Sequence, residues 1–311
     1  MMITRQAIQM AAGRLRGWVR VTPVISVARS TFGHAVDLKL EHLQHTGSFK
    51  PRGAFNRMLS HPIPPAGVVA ASGGNHGLAV AYAAVNMDVP AEIFVPETAS
   101  AVKLRRLHGY GVRVTQVGQQ YADALAASRA RADAVGALMV HAYDDADVQA
   151  GQGSIAVELA QHTRTITTVL VAVGGGGLLG GIATWYARTA TKVVAVEPAN
   201  APTLATALAA GHPVDVEVSG VAADALGARQ ISALTLRTAA DTGVKSVLVD
   251  DKSIMQTRQA LWDELHLAVE PAGATALAAL TSGAYQPAPD EHIAVIICGA
   301  NTDPIDLVER Q

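Results

Sequence analysis

Lys50 stands in the stretch "HTGSFKPRGAFNRM", residues His45 to Met58, among glycines, small hydroxyl residues and a proline. A surface lysine needs no such surroundings, whereas a lysine that presents its amine inside a pocket does. Gly47 and Gly53 let the backbone approach closely, and Pro51 biases Lys50 away from helical conformation. A partly desolvated lysine loses basicity and can form a Schiff base with a carbonyl compound. Taken without its neighbours, the same residue reads more simply as a solvated lysine ahead of a helix.

Three more segments carry possible chemistry. "ASGGNHG", Ala71 to Gly77, joins an apolar run to a helical pattern. Ser72, Gly74, Asn75 and the backbone N–H groups of that turn could cradle a carboxylate, or Asn75 could simply cap the helix. His76 is a base, a ligand or a packed first-turn residue. In "VAVGGGGLLGG", Val171 to Gly181, Gly174, Gly175, Gly176 and Gly177 allow several N–H groups to converge on a phosphate. Gly175, Gly177 and Gly180 also fit the dinucleotide spacing, with Glu197 ending the next strand, so a nicotinamide or flavin oxidoreductase is a rival. In "VIICGAN", Val295 to Asn301, Cys298 is a nucleophile, a hydrogen-bond partner or buried filler. His42 and His45 lie close together, but no cysteine or carboxylate set completes a zinc site.

The elements that position these segments follow from hydrophobic pattern. The runs "GVVAAS", "AEIFVP", "VRVTQV", "ALMVHAY", "TTVLVAV", "KVVAVEP", "KSVLVD" and "HIAVIICGAN" read as strands buried on both faces. Helical patterns such as "GLAVAYAAVNM", "YADALAASRARADAV" and "SIMQTRQALWDEL" separate most of them. This alternation predicts a doubly wound α/β architecture, with ligands bound at the carboxyl ends of parallel strands. The chain of 311 residues, half of them hydrophobic, is long enough for one large domain or two lobes. With 24 Lys+Arg against 26 Asp+Glu and no basic block, neither nucleic acid nor an anionic membrane is an expected partner. One cysteine excludes an internal disulfide framework and suits a reducing cytosol. The first twenty residues are too charged for a secretory signal and read as an amphipathic helix. Thr167 to Ala187 has the length of a membrane span, but its six glycines favour strand, loop and helix.

Taken jointly, these motifs resemble the fold-type II pyridoxal-phosphate enzymes, the two-lobed tryptophan synthase β-subunit-like fold, and within them the serine/threonine dehydratase and serine racemase branch. "LKLEHLQHTGSFKPRGA", "ASGGNHG", "AGQGSIAVELA", "VAVGGGGLLGGIA", "AVEP", "VEPAGATALAAL" and "CGAN" occur in the family's order over nearly the whole chain. The resemblance implies that Lys50 carries pyridoxal phosphate, that Gly174 to Gly177 hold its phosphate and that Phe49 packs against its ring. It further implies that Asn75 bonds the ring oxygen, that Cys298 faces the ring nitrogen, and that Ser72, Gly74, Asn75 and His76 grip the substrate carboxylate. A neutral thiol at the ring nitrogen makes a shallower electron sink than an aspartate, which favours elimination of a β-hydroxyl over transamination.

The implied activity is deamination of L-threonine, L-serine or a related β-hydroxy amino acid to a 2-oxo acid and ammonia. A racemase, a β-replacement lyase and an NAD-dependent oxidoreductase follow as alternatives. Racemases of this family carry a serine acid/base where this chain has Gly73, which has no proton to exchange. Some members hold a divalent cation through a glutamate, a carbonyl and an aspartate. Glu197 and Ala201 match the first two but Thr203 replaces the third, so a monovalent ion or none is expected. Asp145 and Asp224 occupy acidic positions found in relatives. A large domain of residues 1–53 and 146–311, with a small one of 54–145 inserted, is expected, as are a cytoplasmic homodimer and no feedback inhibition by isoleucine, since the chain ends shortly after its last strand.

Overall fold

The computed structural model describes residues 3–162 and 165–308. Among the described residues ten strands form two sheets: β1 (Val24–Val27), β2 (Val36–Lys39), β3 (Val68–Ala71), β4 (Ala91–Val95), β5 (Arg113–Gln116), β6 (Leu138–Met139), β7 (Thr168–Ala172), β8 (Lys192–Pro198), β9 (Lys245–Val249) and β10 (Ile293–Ile296). The larger sheet has the order β1-β2-β10-β7-β8-β9, the smaller β5-β4-β3-β6. Only the β1–β2 pair is antiparallel. Helices Gly177–Tyr186 and Pro271–Thr281 pack on β7 and β8 and are buried almost throughout, which explains their lack of charged residues.

The central strands match the doubly wound reading, because β3, β7 and β10 are buried at every position. The sheet edges do not: β5 holds only half-buried and exposed residues and β9 has Val249 as its single buried one, since an edge strand has a neighbour on one side only. The run at 137–143 forms only the two-residue strand β6, and its remainder turns toward the site. β1 and β2 span only four residues each, and Asp37 and Lys39 interrupt the apolar pattern of β2, so neither was foreseen. The amphipathic N-terminal pattern forms the helix Arg5–Arg14; residues 1 and 2 of that prediction lie outside the described residues. Among the described residues no helix is long and apolar enough to cross a membrane.

Pro51 acts differently from expectation. Lys50 is the first residue of the helix Lys50–Leu59, and Pro51 sits in the first turn, where its missing N–H has no intrahelical partner to lose. This helix packs against both Asn75–Asn86 and Ala146–His162, so it spans the junction of the two sheets. The loop before it is pinned to the end of β10: Phe49 N donates to the Cys298 carbonyl at 3.1 Å and Ala300 N to the Gly47 carbonyl at 2.8 Å. Arg52, one turn further on, is fully buried between Glu41 and Glu158, bonding both carboxylates at 2.7–2.9 Å. Lys39 joins the network through Glu158 at 2.5 Å.

Candidate active site

A pocket opens at the carboxyl ends of β3, β7 and β10, lined by Phe49, Lys50, Asn75, Tyr143, the four glycines, Glu270 and Cys298. Its anionic end is built from backbone. Gly176 adopts a left-handed φ of 88° and opens the helix Gly177–Tyr186, whose first turn no side chain caps among the described residues. A Cβ would stand 2.8 Å from Leu226 Cα at Gly174, 2.4 Å from Tyr143 Cγ at Gly175, 2.6 Å from Ile231 Cδ1 at Gly176 and 2.9 Å from Tyr143 Cβ at Gly177. No side chain fits anywhere in this loop, which leaves N–H groups and a helix N-terminus for a phosphate.

Lys50 extends into the same pocket. Its Nζ donates to the Ala142 carbonyl at 2.9 Å and lies 5.2 Å from the Phe49 ring centroid. Burial lowers its pKa to about 8, against the opposing pull of Cys298 and Glu270. Burial also pushes the Cys298 thiol well above the ordinary thiol range, and its Sγ bonds the Ala272 carbonyl at 3.3 Å. The thiol is therefore neutral, as the shallow electron sink requires.

The turn from Ser72 to His76 reaches the pocket through Asn75 and locks its shape internally. Ser72 Oγ accepts from Gly74 N at 3.1 Å. His76 is buried and its Nε2 meets the Val140 carbonyl at 2.9 Å; burial depresses its pKa to about 3. A neutral ring donating to a carbonyl pins the helix start to the strand beyond, so His76 serves the turn as a structural post and not as a base. Gly73 has room: a Cβ there would meet Val95 Cγ1 at 3.6 Å, Lys103 Cδ at 3.7 Å and Ala99 Cβ at 3.9 Å, all ordinary contacts.

Of the acidic candidates, only Asp224 borders the pocket. It forms an ion pair with Lys103, and its neighbours Ala225 and Leu226 line the site. Asp145 caps the helix Ala146–His162 through the N–H groups of Asp147 at 2.9 Å and Val148 at 3.0 Å, and pairs with Arg57 at 3.3 Å. Glu197 is buried under the helix Thr203–Ala210. Its carboxylate accepts from Leu204 N at 2.6 Å, Ala205 N at 2.9 Å, Thr203 Oγ1 at 3.2 Å and Ser246 Oγ. Every oxygen is thus occupied by protein donors. The Ala201 carbonyl accepts from Thr203 N at 3.0 Å. Among the described residues no group of three or more His, Cys, Asp or Glu could hold a metal. The same capping removes Glu197 from any ribose, and Gly180 is explained by packing, since a Cβ there would lie 2.2 Å from Gln149 Oε1. The dinucleotide fingerprint is a coincidence of spacing.

Two lining residues have no assigned role in the sequence reading. Tyr143, whose ring packs over Gly175 and whose Cβ and backbone lie against Gly177, stands in the loop "HAYDDADVQ", which is expected to line the pocket without any one residue being singled out. Glu270 lies inside the recognised motif "VEPAG" but drew no role; it is buried, and burial raises its pKa to about 7.

A lysine of lowered pKa, a neutral thiol and a bare backbone cradle line one pocket, the parts needed to hold a phosphorylated aldehyde cofactor. The residues present fit pyridoxal phosphate. The chain belongs to the family described as pyridoxal-phosphate dependent enzyme, whose model matches residues 15–299. Over 285 residues it is 38% identical to the L-threonine ammonia-lyase of Geobacter sulfurreducens, covering 90% of this chain and 71% of that protein. It is 33% identical to the phenylserine dehydratase of Ralstonia pickettii, covering 96% and 93%. The solved structure of maize serine racemase superposes with a TM-score of 0.92 at 30% identity, covering 97% of this chain and 95% of that one. The fold is shared by lyases and racemases, so residues within the site must separate them.

Proposed function

We propose that this protein is a pyridoxal-phosphate-dependent ammonia-lyase that converts L-threonine, L-serine or a related β-hydroxy amino acid to a 2-oxo acid and ammonia. The observation that carries the reading is the Lys50 amine, lowered in pKa and aimed into a pocket whose far end is the side-chain-free glycine loop. Relatives named for threonine and phenylserine support the substrate class. When bound, the cofactor supplies the electron sink that makes the substrate's α-proton removable.

The chain's residues divide the remaining work. Gly174 to Gly177 would hold the phosphate, Asn75 would donate to the ring oxygen, Phe49 would pack on the ring and Cys298 would meet the ring nitrogen without giving it charge. Ser72, Gly74, Asn75 and His76 form the turn that takes the substrate carboxylate, through backbone N–H groups at a helix start. Lys50 holds the cofactor and then takes the α-proton at its Nζ, as an amine with a pKa near 8 can do close to neutral pH. Gly73 offers no second base on the opposite side, which disfavours racemisation. The Lys103–Asp224 pair links the segment beside Gly73 to the one over Gly174, and closing it shields the reacting carbon from water.

The proposal includes a large domain of residues 1–53 and 146–311 carrying the small domain 54–145, consistent with β3 to β6 forming a sheet of their own. A homodimer in the cytoplasm is the proposed working state, with no cation required beside Glu197. The test is a panel of β-hydroxy amino acids of both stereochemistries, followed by 2-oxo acid and ammonia release. Wild type is expected to release both from an L-substrate, and Lys50→Ala to release neither. Turnover by Lys50→Ala, or D-serine appearing from L-serine faster than pyruvate, would overturn the reading.

A further inference from the structure

Asn75 has one acceptor and two donors on its amide, and its surroundings commit them. Asn301 Nδ2 donates to the Thr46 carbonyl and to Asn75 Oδ1, each at 2.7 Å. With its oxygen taken by a donor, the Asn75 amide must turn its nitrogen the other way, where Nδ2 donates to Glu270 Oε1 at 2.7 Å. The second N–H of that nitrogen remains for the pocket that Asn75 lines.

Glu270 has little freedom to move. It is 5% exposed and precedes the buried helix Pro271–Thr281. Gly299 packs so closely that a Cβ there would lie 1.9 Å from Glu270 Oε1. The charged and titratable groups around it are Asp224, Lys50 on the cofactor-facing helix and Cys298 at the end of β10. Burial and Asp224 oppose ionisation, whereas Asn75, Lys50 and the Asn301 N–H favour it, and the balance lies near pH 7.

We infer that Glu270 and Asn301 are positioning residues that hold Asn75 as a hydrogen-bond donor toward the cofactor's ring oxygen, with Glu270 keeping one exchangeable proton behind that bond. This rests on the cofactor reading above. The arrangement needs Asn301, because without its donor the Asn75 amide could rotate and present its oxygen to another oxygen. It needs Glu270 to be able to lose its charge, because a permanent carboxylate behind Asn75 would repel a phenolate in front of it.

The experiment is a pH titration of the bound cofactor's absorbance in purified holoenzyme from pH 5.5 to 9, together with its dissociation constant by dialysis. Wild type is expected to show a band shift with a midpoint near 7. Glu270→Gln, which keeps an acceptor for Asn75 but cannot titrate, should lose that midpoint while its Kd stays within about threefold. Asn301→Ala should raise Kd at least about tenfold, the loss of one oriented hydrogen bond. Glu270→Gln titrating like wild type, or Asn301→Ala binding like wild type, would overturn the inference. Should Glu270→Gln not fold, Asn301→Ala still decides the positioning role. A wild-type protein without a cofactor band would instead sink the cofactor reading itself, so the two failures are distinguishable.

Discussion

Replacing Arg52 by methionine isolates what holds the catalytic helix in place. Arg52 is fully buried and makes paired bonds to Glu41, itself fully buried, and to Glu158. Methionine fills similar space but removes the charge that both carboxylates lean on. Burial pushes Glu41 toward the protonated form, yet the Arg52 charge and hydrogen bonds, with Lys39 behind them, hold its pKa below the ordinary value. That stabilisation is present above the unfolded pKa near 4.5 and is lost as pH falls through the lower folded value. In Arg52→Met the opposing burial dominates and the Glu41 pKa rises above its unfolded value, so stability is then lost as pH increases. The expected cost at pH 7 is about 3–5 kcal/mol, the usual result of leaving one buried charge unpaired. For a chain of this size that is about 6–10 °C in Tm, at about 2 °C per kcal/mol. The deficit should shrink toward pH 5, and Glu41→Gln in the same background should recover much of it. Thermal melts of wild type, both single variants and the double variant across pH 5–8 test this. A cost below about 1 kcal/mol, in the range of an exposed pair, or one independent of pH, would refute the reasoning.

Three further outcomes are expected. Gly175→Ala forces a methyl to within 2.4 Å of the Tyr143 ring, so cofactor affinity measured by dialysis should fall at least about tenfold while the fold survives. The rate at which Lys50 captures added pyridoxal phosphate should rise with pH through a midpoint near 8, since only the neutral amine reacts; a midpoint displaced toward 10 would mean that the pocket leaves the amine solvated. Chelator, magnesium and potassium should change turnover by less than about twofold, because the Glu197 carboxylate is spent on the helix Thr203–Ala210, whereas Thr203→Asp should gain a magnesium-dependent rise in Tm.

The parts legible in the sequence were those set by short-range chemistry. A glycine run after a β-branched run announces a tight strand-to-helix turn, and β3, β7 and β10 declared themselves by their apolar content. The parts that escaped depend on partners distant in the chain. Asn75 gains its orientation from Asn301, 226 residues away, and Glu270 its protonation from burial that no local pattern encodes. Glu197 carried two motif-based readings, as metal ligand and as ribose acid, and neither anticipated a helix start directed at its oxygens. Pro51 misled for a related reason: its effect depends on whether the helix begins before or after it, and packing against Ala146–His162 decides that.

One physical cause runs through the site's titratable groups. Burial lowers Lys50 to about 8 and His76 to about 3, raises Glu270 to about 7 and pushes Cys298 up beyond ordinary thiols. Each moves toward its uncharged form, as expected of a pocket that water scarcely reaches. In such a setting full charge is best placed at a helix start, and the glycine loop offers one, with backbone N–H groups standing in for solvent. A cofactor phosphate would be held there by backbone donors, with its ring among groups that burial keeps largely uncharged. Such surroundings would add little to the stabilisation of negative charge at the substrate's α-carbon, which favours prompt loss of a β-hydroxyl. The same neutrality that makes Lys50 reactive near physiological pH therefore also steers the chemistry toward elimination.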